Sequence, residues 1–181
     1  MVKIAIVGPG RSGKDETASL FKKHSILRYN HSTSYQALDI VYEKMITEHG
    51  YAGFYKDKEE CFADRANHRN LWAHIITEYN KEDPTRLYKK HLEDSDILTG
   101  LRKRKEVQAC VEQGLIDLVI YIENTAARFN SGDQTIDFDG HDSVVDIILS
   151  NNSTLSVLEK RIVNLCDAFT IRKYTGEDIT C

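Results

Sequence analysis

At 181 residues the chain is long enough to bury a core, and one domain is the default. Its composition, 41% apolar and 29% charged, is that of an ordinary globular protein. A net charge of −4 gives no overall basic footprint, which argues against a protein that lives on nucleic acid, although a local patch escapes a net count.

No apolar run approaches the ~20 residues needed to span a bilayer. The run "IAIV" near the N-terminus is too short for a secretion signal. Cys61, Cys110, Cys166 and Cys181 lack CxxC or metal spacing, so neither a zinc site nor a disulfide scaffold is expected. The expected setting is the cytoplasm, that of the host if a phage encodes the chain, with no membrane partner.

In chain order, "KIAIV" (3–7) reads as a buried strand and "KDETASLFKKH" as a helix starting at Lys14. A second strand is expected at "ILRYN" (26–30), then a helix over 36–50 and a long one over 59–80. "DPTRLYKKHLE" places Asp83 as N-cap and Pro84 at the first helical position, where a missing N–H costs little. "DILTG" (96–100) is the third strand, followed by a helix over 102–114 that ends at Gly114. "DLVIYIE" (117–123) and "VVDIIL" (144–149) complete the strands, and an apolar stripe from Leu155 to Phe169 marks the last helix.

Strands alternating with helices imply an α/β fold: a five-stranded parallel sheet in three layers with helices on both faces. Residues 1–169 form one domain, with a helical acceptor-binding region about 31–95. The polar stretch about 124–143 reads as a lid loop, and 170–181 as a weakly patterned tail.

Between the first strand and helix, Gly8, Gly13 and Lys14 fit G-x-x-x-x-G-K. Glycines, Gly10 among them, let the backbone curl so that its N–H groups face phosphate oxygens. The helix start at Lys14, Asp15 and Glu16 adds a positive dipole end, Lys14 adds a point charge, and Arg11 and Ser12 at the tip add donors. Such loops normally carry Ser or Thr where Asp15 stands. A carboxylate there either holds Mg²⁺, directly or through a water, or serves as a first-turn acid or helix cap.

"GRSGKD" resembles the phosphate loop of the phage-type deoxynucleoside monophosphate kinases, and that of animal phosphomevalonate kinases. The resemblance implies a P-loop kinase fold, ATP and Mg²⁺ as cofactors, and phosphoryl transfer to a small acceptor. It runs loosely over residues 1–169. Within it, "DIILSNN" is similar to the family's terminal strand, whose Asn-rich turn lies by the adenine; Asn151 and Asn152 are then nucleotide contacts, or simply a turn and cap.

For the acceptor, "HSTSY" (31–35) follows a strand's carboxyl end, which places Ser32, Thr33, Ser34 and Tyr35 at the crevice of an open parallel sheet; a helix cap is the plainer role. On one face of the long helix, Arg65, Arg69 and Trp72 offer guanidinium forks and an aromatic plate, or a solvated face over a core Trp. In "ILTGLRKRKEV" the resembling kinases have an Asp-x-Arg-like element. Arg102 is kept, but Gly100 takes the acid's place, so the catalytic carboxylate falls to Asp15 or Asp64. Arg128 is the candidate lid residue.

The expected activity is transfer of the ATP γ-phosphoryl group to a deoxynucleoside monophosphate. The alternatives are a hydroxyl acceptor, on hydroxymethylated pyrimidine in DNA or on dephospho-coenzyme A, and a nucleotide-binding module without transfer. DNA is not the favoured partner, and a homodimer is left open.

Overall fold

The computed structural model describes residues 2–130 and 136–173, with the side chains of 128–130 outside that description. Its centre is a parallel sheet of four strands, ordered β2-β1-β3-β4. β1 (Ile4–Val7) lies between β2 (Ile97–Thr99) and β3 (Leu118–Glu123), with Ile4 opposite both Ile97 and Leu118. β4 (Ile147–Ser150) pairs with β3.

Alternate side chains of a strand face opposite sides, so each face of this sheet builds its own core. Ile4, Ile6, Ile97, Ile120 and Ile122 meet Ala18, Leu20 and Phe21 of α1 (Lys14–His24) and Leu158, Ile162 and Cys166 of α9 (Leu155–Ala168). On the other face Ala5, Val7, Leu98, Val119 and Tyr121 pack on Tyr88 of α6 (Arg86–His91) and on Val107 and Cys110 of α7 (Arg104–Glu112).

A third cluster lies within the helical region. There Leu38, Val41 and Met45 of α3 (Leu38–Glu48) join Cys61 of α4 (Lys58–Ala63), Trp72 and Ile75 of α5 (Arg69–Tyr79), and Leu87. The short α2 (Thr33–Gln36) precedes α3, and α8 (Thr125–Asn130) follows β3. Among the described residues no helix is long and apolar enough to cross a membrane.

Four departures from the sequence expectations have identifiable physical causes. The fifth strand, 26–30, is absent. Asp96 N–H does donate to the Arg28 carbonyl at 2.8 Å, but Arg28 N–H and its guanidinium both turn to the Asp96 carboxylate, so the ladder stops after one rung. Leu27 and Tyr29 are still buried against the first core. The Arg28 guanidinium and amide hold the Asp96 carboxyl below its ordinary range.

The long helix expected over 59–80 is broken. A 3₁₀ turn at Asp64–Ala66 separates α4 from α5. Asp64 accepts from the Asn67 side chain at 2.5 Å and from Tyr55 Oη at 2.9 Å, and lies 3.0 Å from His68 Nε2. A short polar side chain that finds such local partners competes with helix continuation.

The stretch 124–143 is not one loop. It opens with α8, and Phe138 is buried against Tyr121. Arg104 ties this part down through Asp142 at 3.0 Å and Ser143 at 3.0 Å. Residues 131–135 and the Arg128 side chain lie outside the described residues.

The domain does not stop at 169. Ile171 is buried in the first core, and residues 171–173 run antiparallel to 24–26, with Ile26 N–H donating to Ile171 O and Lys173 N–H to His24 O, both at 2.9 Å. Residues 174–181 are outside the described part.

At the end of α6, His91 is fully buried with its ring 5.3 Å from that of His31. Burial, helped by the charge His31 can carry, lowers its pKa to about 4. The folded protein thus binds this proton less readily than the unfolded chain, whose histidine titrates near ~6.5. Stability from this group is complete above that value and is lost as pH falls, by about 3 kcal/mol at pH 4. Denaturant unfolding measured from pH 7 to pH 4 is expected to show this acid limb, and His91→Leu to flatten it.

Candidate functional site

β1 ends at Val7, and the next six residues form a glycine loop before α1 begins at Lys14. Gly8 has φ 141°, and a Cβ there would lie 2.7 Å from the main-chain oxygen of Ile122 in β3. Gly13 has φ 94°, and a Cβ there would stand 2.3 Å from Asn151 Nδ2. Only glycine meets both conditions, a left-handed backbone and a neighbour at contact. Arg11, at the tip, also has a left-handed φ of 61° and is exposed, an unfavourable backbone state for a residue with a Cβ.

The Lys14 ammonium turns back into the loop, donating to Gly8 O at 3.0 Å and Pro9 O at 2.6 Å. Ser12 is fully buried, its N–H donates to Pro9 O at 3.3 Å, and its Oγ has no hydrogen-bond partner among the described residues. The first α1 amide to bond the ladder is Thr17 N–H, on Gly13 O at 2.9 Å. The amides of Lys14, Asp15 and Glu16 stand ahead of it, where a helix supplies no partner of its own.

Asp15 and Glu16 are exposed in this first turn, so Asp15 is a first-turn acid and not the cap, which is Gly13. Tyr29 Oη donates to Asp15 Oδ1 at 3.4 Å. Burial pushes the Tyr29 pKa up to about 12, and it stays a donor at neutral pH. The sequence marks Tyr29 only as part of a strand; an aromatic hydroxyl at the carboxyl end of an apolar run is the available signal. A single carboxylate fits Mg²⁺, which keeps several waters and takes most of its other oxygens from phosphates. Among the described residues no group of three or more His, Cys, Asp or Glu side chains is placed to hold a metal.

Asn151 and Asn152 sit on the far side of the loop, just after β4. Asn151 Nδ2 donates to Ser12 O at 2.8 Å, and its N–H donates to Glu123 O at 2.7 Å. Asn152 Oδ1 accepts from Thr125 N–H at 2.8 Å and Oγ1 at 3.0 Å, at the start of α8. Beside them a cleft of about 50 Å³ is lined by Pro9, Tyr121, Glu123, Thr125, Asp139 and His141.

At the carboxyl end of β2, Gly100 faces α2: a Cβ there would meet Thr33 Cβ at 3.8 Å and Ser34 Oγ at 3.9 Å. Ser32 caps α2, accepting from Tyr35 N–H at 3.3 Å. Thr33 and Thr99 are buried, and neither hydroxyl has a hydrogen-bond partner among the described residues. Tyr35 is partly exposed and stands edge-on to His31 and Phe62. Arg102 is half-buried just before α7, and its carbonyl accepts from Asp137 N–H at 3.2 Å.

The other acceptor candidates lie in the helical region. Arg65 lies in the 3₁₀ turn, stacked 4.0 Å over Phe62 and donating to its carbonyl, while Arg69 opens α5. With the helix broken between them, Arg65, Arg69 and Trp72 do not share one helical face. Trp72 is 5% exposed, packed in the helical region's own core, and offers no open ring face. Hydrogen bonds from Asn67 and Tyr55 engage Asp64 and hold its carboxyl below the ordinary range. Of the two candidate carboxylates, Asp15 is the one in the first turn after the glycine loop.

No protein-family model matches this sequence, and no curated protein matches it.

The Gly8 contact makes a direct test. Gly8→Ala combines a left-handed backbone with a main-chain clash and is expected to cost about 3 kcal/mol in chemical unfolding. Gly50→Ala, with φ 77° but nothing within 4 Å of its Cβ, is expected to cost only about 1 kcal/mol.

Proposed function

We propose that this chain is an ATP-dependent kinase that transfers the γ-phosphoryl group to a nucleotide acceptor, a deoxynucleoside monophosphate. The observation that carries this reading is Lys14: its ammonium lies 2.6 Å from Pro9 O and 3.0 Å from Gly8 O, inside a glycine loop between a buried strand and a helix. Phosphate oxygens are stronger acceptors for an ammonium than main-chain carbonyls, so Lys14 exchanges these two carbonyls for phosphate when a triphosphate enters. The loop amides and the first turn of α1 receive the remaining phosphate oxygens.

In the transfer, an acceptor oxygen bonds to the γ-phosphorus as its bond to the β-bridging oxygen breaks, and ADP leaves with the electron pair. Charge builds on the transferring oxygens, and Lys14 and Arg102 are the side chains assigned to it, with Arg128 as a further candidate. Mg²⁺, held by Asp15 directly or through a water, supplies charge neutralisation at the phosphates when bound.

Gly100, where the resembling kinases carry an acid, favours a phosphate acceptor over a hydroxyl one. A phosphate monoester has already lost its second proton near pH ~6 and needs no base to become a nucleophile. A hydroxyl, on a pyrimidine in DNA or on dephospho-coenzyme A, does need one. The same glycine, with Asp64 engaged elsewhere, also supports a second reading, a nucleotide-binding module that transfers nothing.

Incubation with γ-labelled ATP and a panel of deoxynucleoside monophosphates, hydroxymethylated DNA and dephospho-coenzyme A separates these. Label is expected on a mononucleotide, and Lys14→Ala should reduce it by at least about a hundredfold without lowering the unfolding midpoint. Label confined to a hydroxyl acceptor overturns the choice of acceptor. ATP bound with no acceptor ever labelled establishes the module.

A further inference from the structure

The resemblance places Asn151 beside the adenine, but its side chain is committed to the glycine loop. Nδ2 donates to Ser12 O at 2.8 Å, and that amide is the atom a Cβ on Gly13 would strike. The Asn151 backbone has no slack. Its N–H is fixed on Glu123 O, and the carbonyl before it, that of Ser150, accepts from the Arg161 guanidinium on α9. The Asn151 amide is thus aimed by the sheet and by α9 together.

The consequence follows from peptide geometry. In a planar trans peptide the C=O and the N–H point in opposite directions. With Ser12 O drawn toward Asn151, Gly13 N–H must point away from it. On the reading of this loop as a phosphate cradle, we infer that Asn151 is a positioning residue: it sets the Ser12–Gly13 peptide plane so that Gly13 N–H faces the polyphosphate chain, and it does not read the base. The glycine at 13 is the other half of the arrangement, since any larger residue would displace the amide that orients it.

The test uses inorganic tripolyphosphate and ATP as probes on the full chain. Asn151→Ala is expected to weaken both by a similar factor of about tenfold, as for one donor lost from the cradle. If ATP weakens and tripolyphosphate does not, Asn151 contacts the base and the inference is overturned. If neither changes, it is also overturned, while the cradle reading stands.

Should the variant not fold, wild-type ¹⁵N–¹H spectra decide: tripolyphosphate is expected to shift the Gly13 amide among the most strongly affected resonances, and a Gly13 amide that stays put while its neighbours move overturns the inference. If neither probe binds the wild-type chain, the cradle reading itself falls and takes this role for Asn151 with it.

Discussion

Four residues, Ile4–Val7, carry the architecture. They form one of the two inner strands of the sheet, paired with β2 on one side and β3 on the other, and all four are buried. A strand enclosed on both edges and both faces has no freedom of direction, so the chain must leave at the sheet's carboxyl edge and turn at once into α1. Gly8 is set there against the Ile122 carbonyl of the neighbouring strand, and the loop's shape follows from that contact. The site is therefore a product of strand register, with the loop residues supplying chemistry on a path already dictated.

Much of this path was legible in the sequence because it is local. "KIAIV" and "DLVIYIE" are apolar runs of strand length, Lys14 opens a helix as expected, and Gly114 does end α7 with φ 65°. The errors come where a side chain answers to a distant partner. Arg28 sits in a run that reads as a strand, but its carboxylate partner is Asp96, 68 positions away. Asn151 reads as a turn residue, yet its amide bonds a carbonyl 139 positions earlier. The helix broken at Asp64 shows a different limit: it is expected to run through 59–80, and the polar contacts of Asp64 to Tyr55, Asn67 and His68 accompany the break.

The acceptor side divides along the same line. α2 and Gly100 meet because Asp96, just before β2, holds Arg28 in the segment that leads into α2 through its amide and its carboxylate. Arg65 and Trp72 instead belong to the helical region, whose core of Met45, Cys61, Trp72 and Ile75 is separate from the two cores of the sheet. A tryptophan at helical spacing is the more conspicuous residue in the sequence, but the buried hydroxyls of Thr33 and Thr99 are the groups that stand near the end of β2.

The order of the strands also governs how the chain is made. Ile4 pairs with Ile97, 93 residues later, and the edge at 24–26 is closed by residues 171–173. At roughly 5–20 residues per second, the most apolar strand leaves the ribosome on the order of 5–20 s before its first neighbour exists. For that interval "IAIV" is a bare, uncharged β-forming segment, and the nascent chain depends on α1 folding over it or on a chaperone to keep it from pairing with other chains.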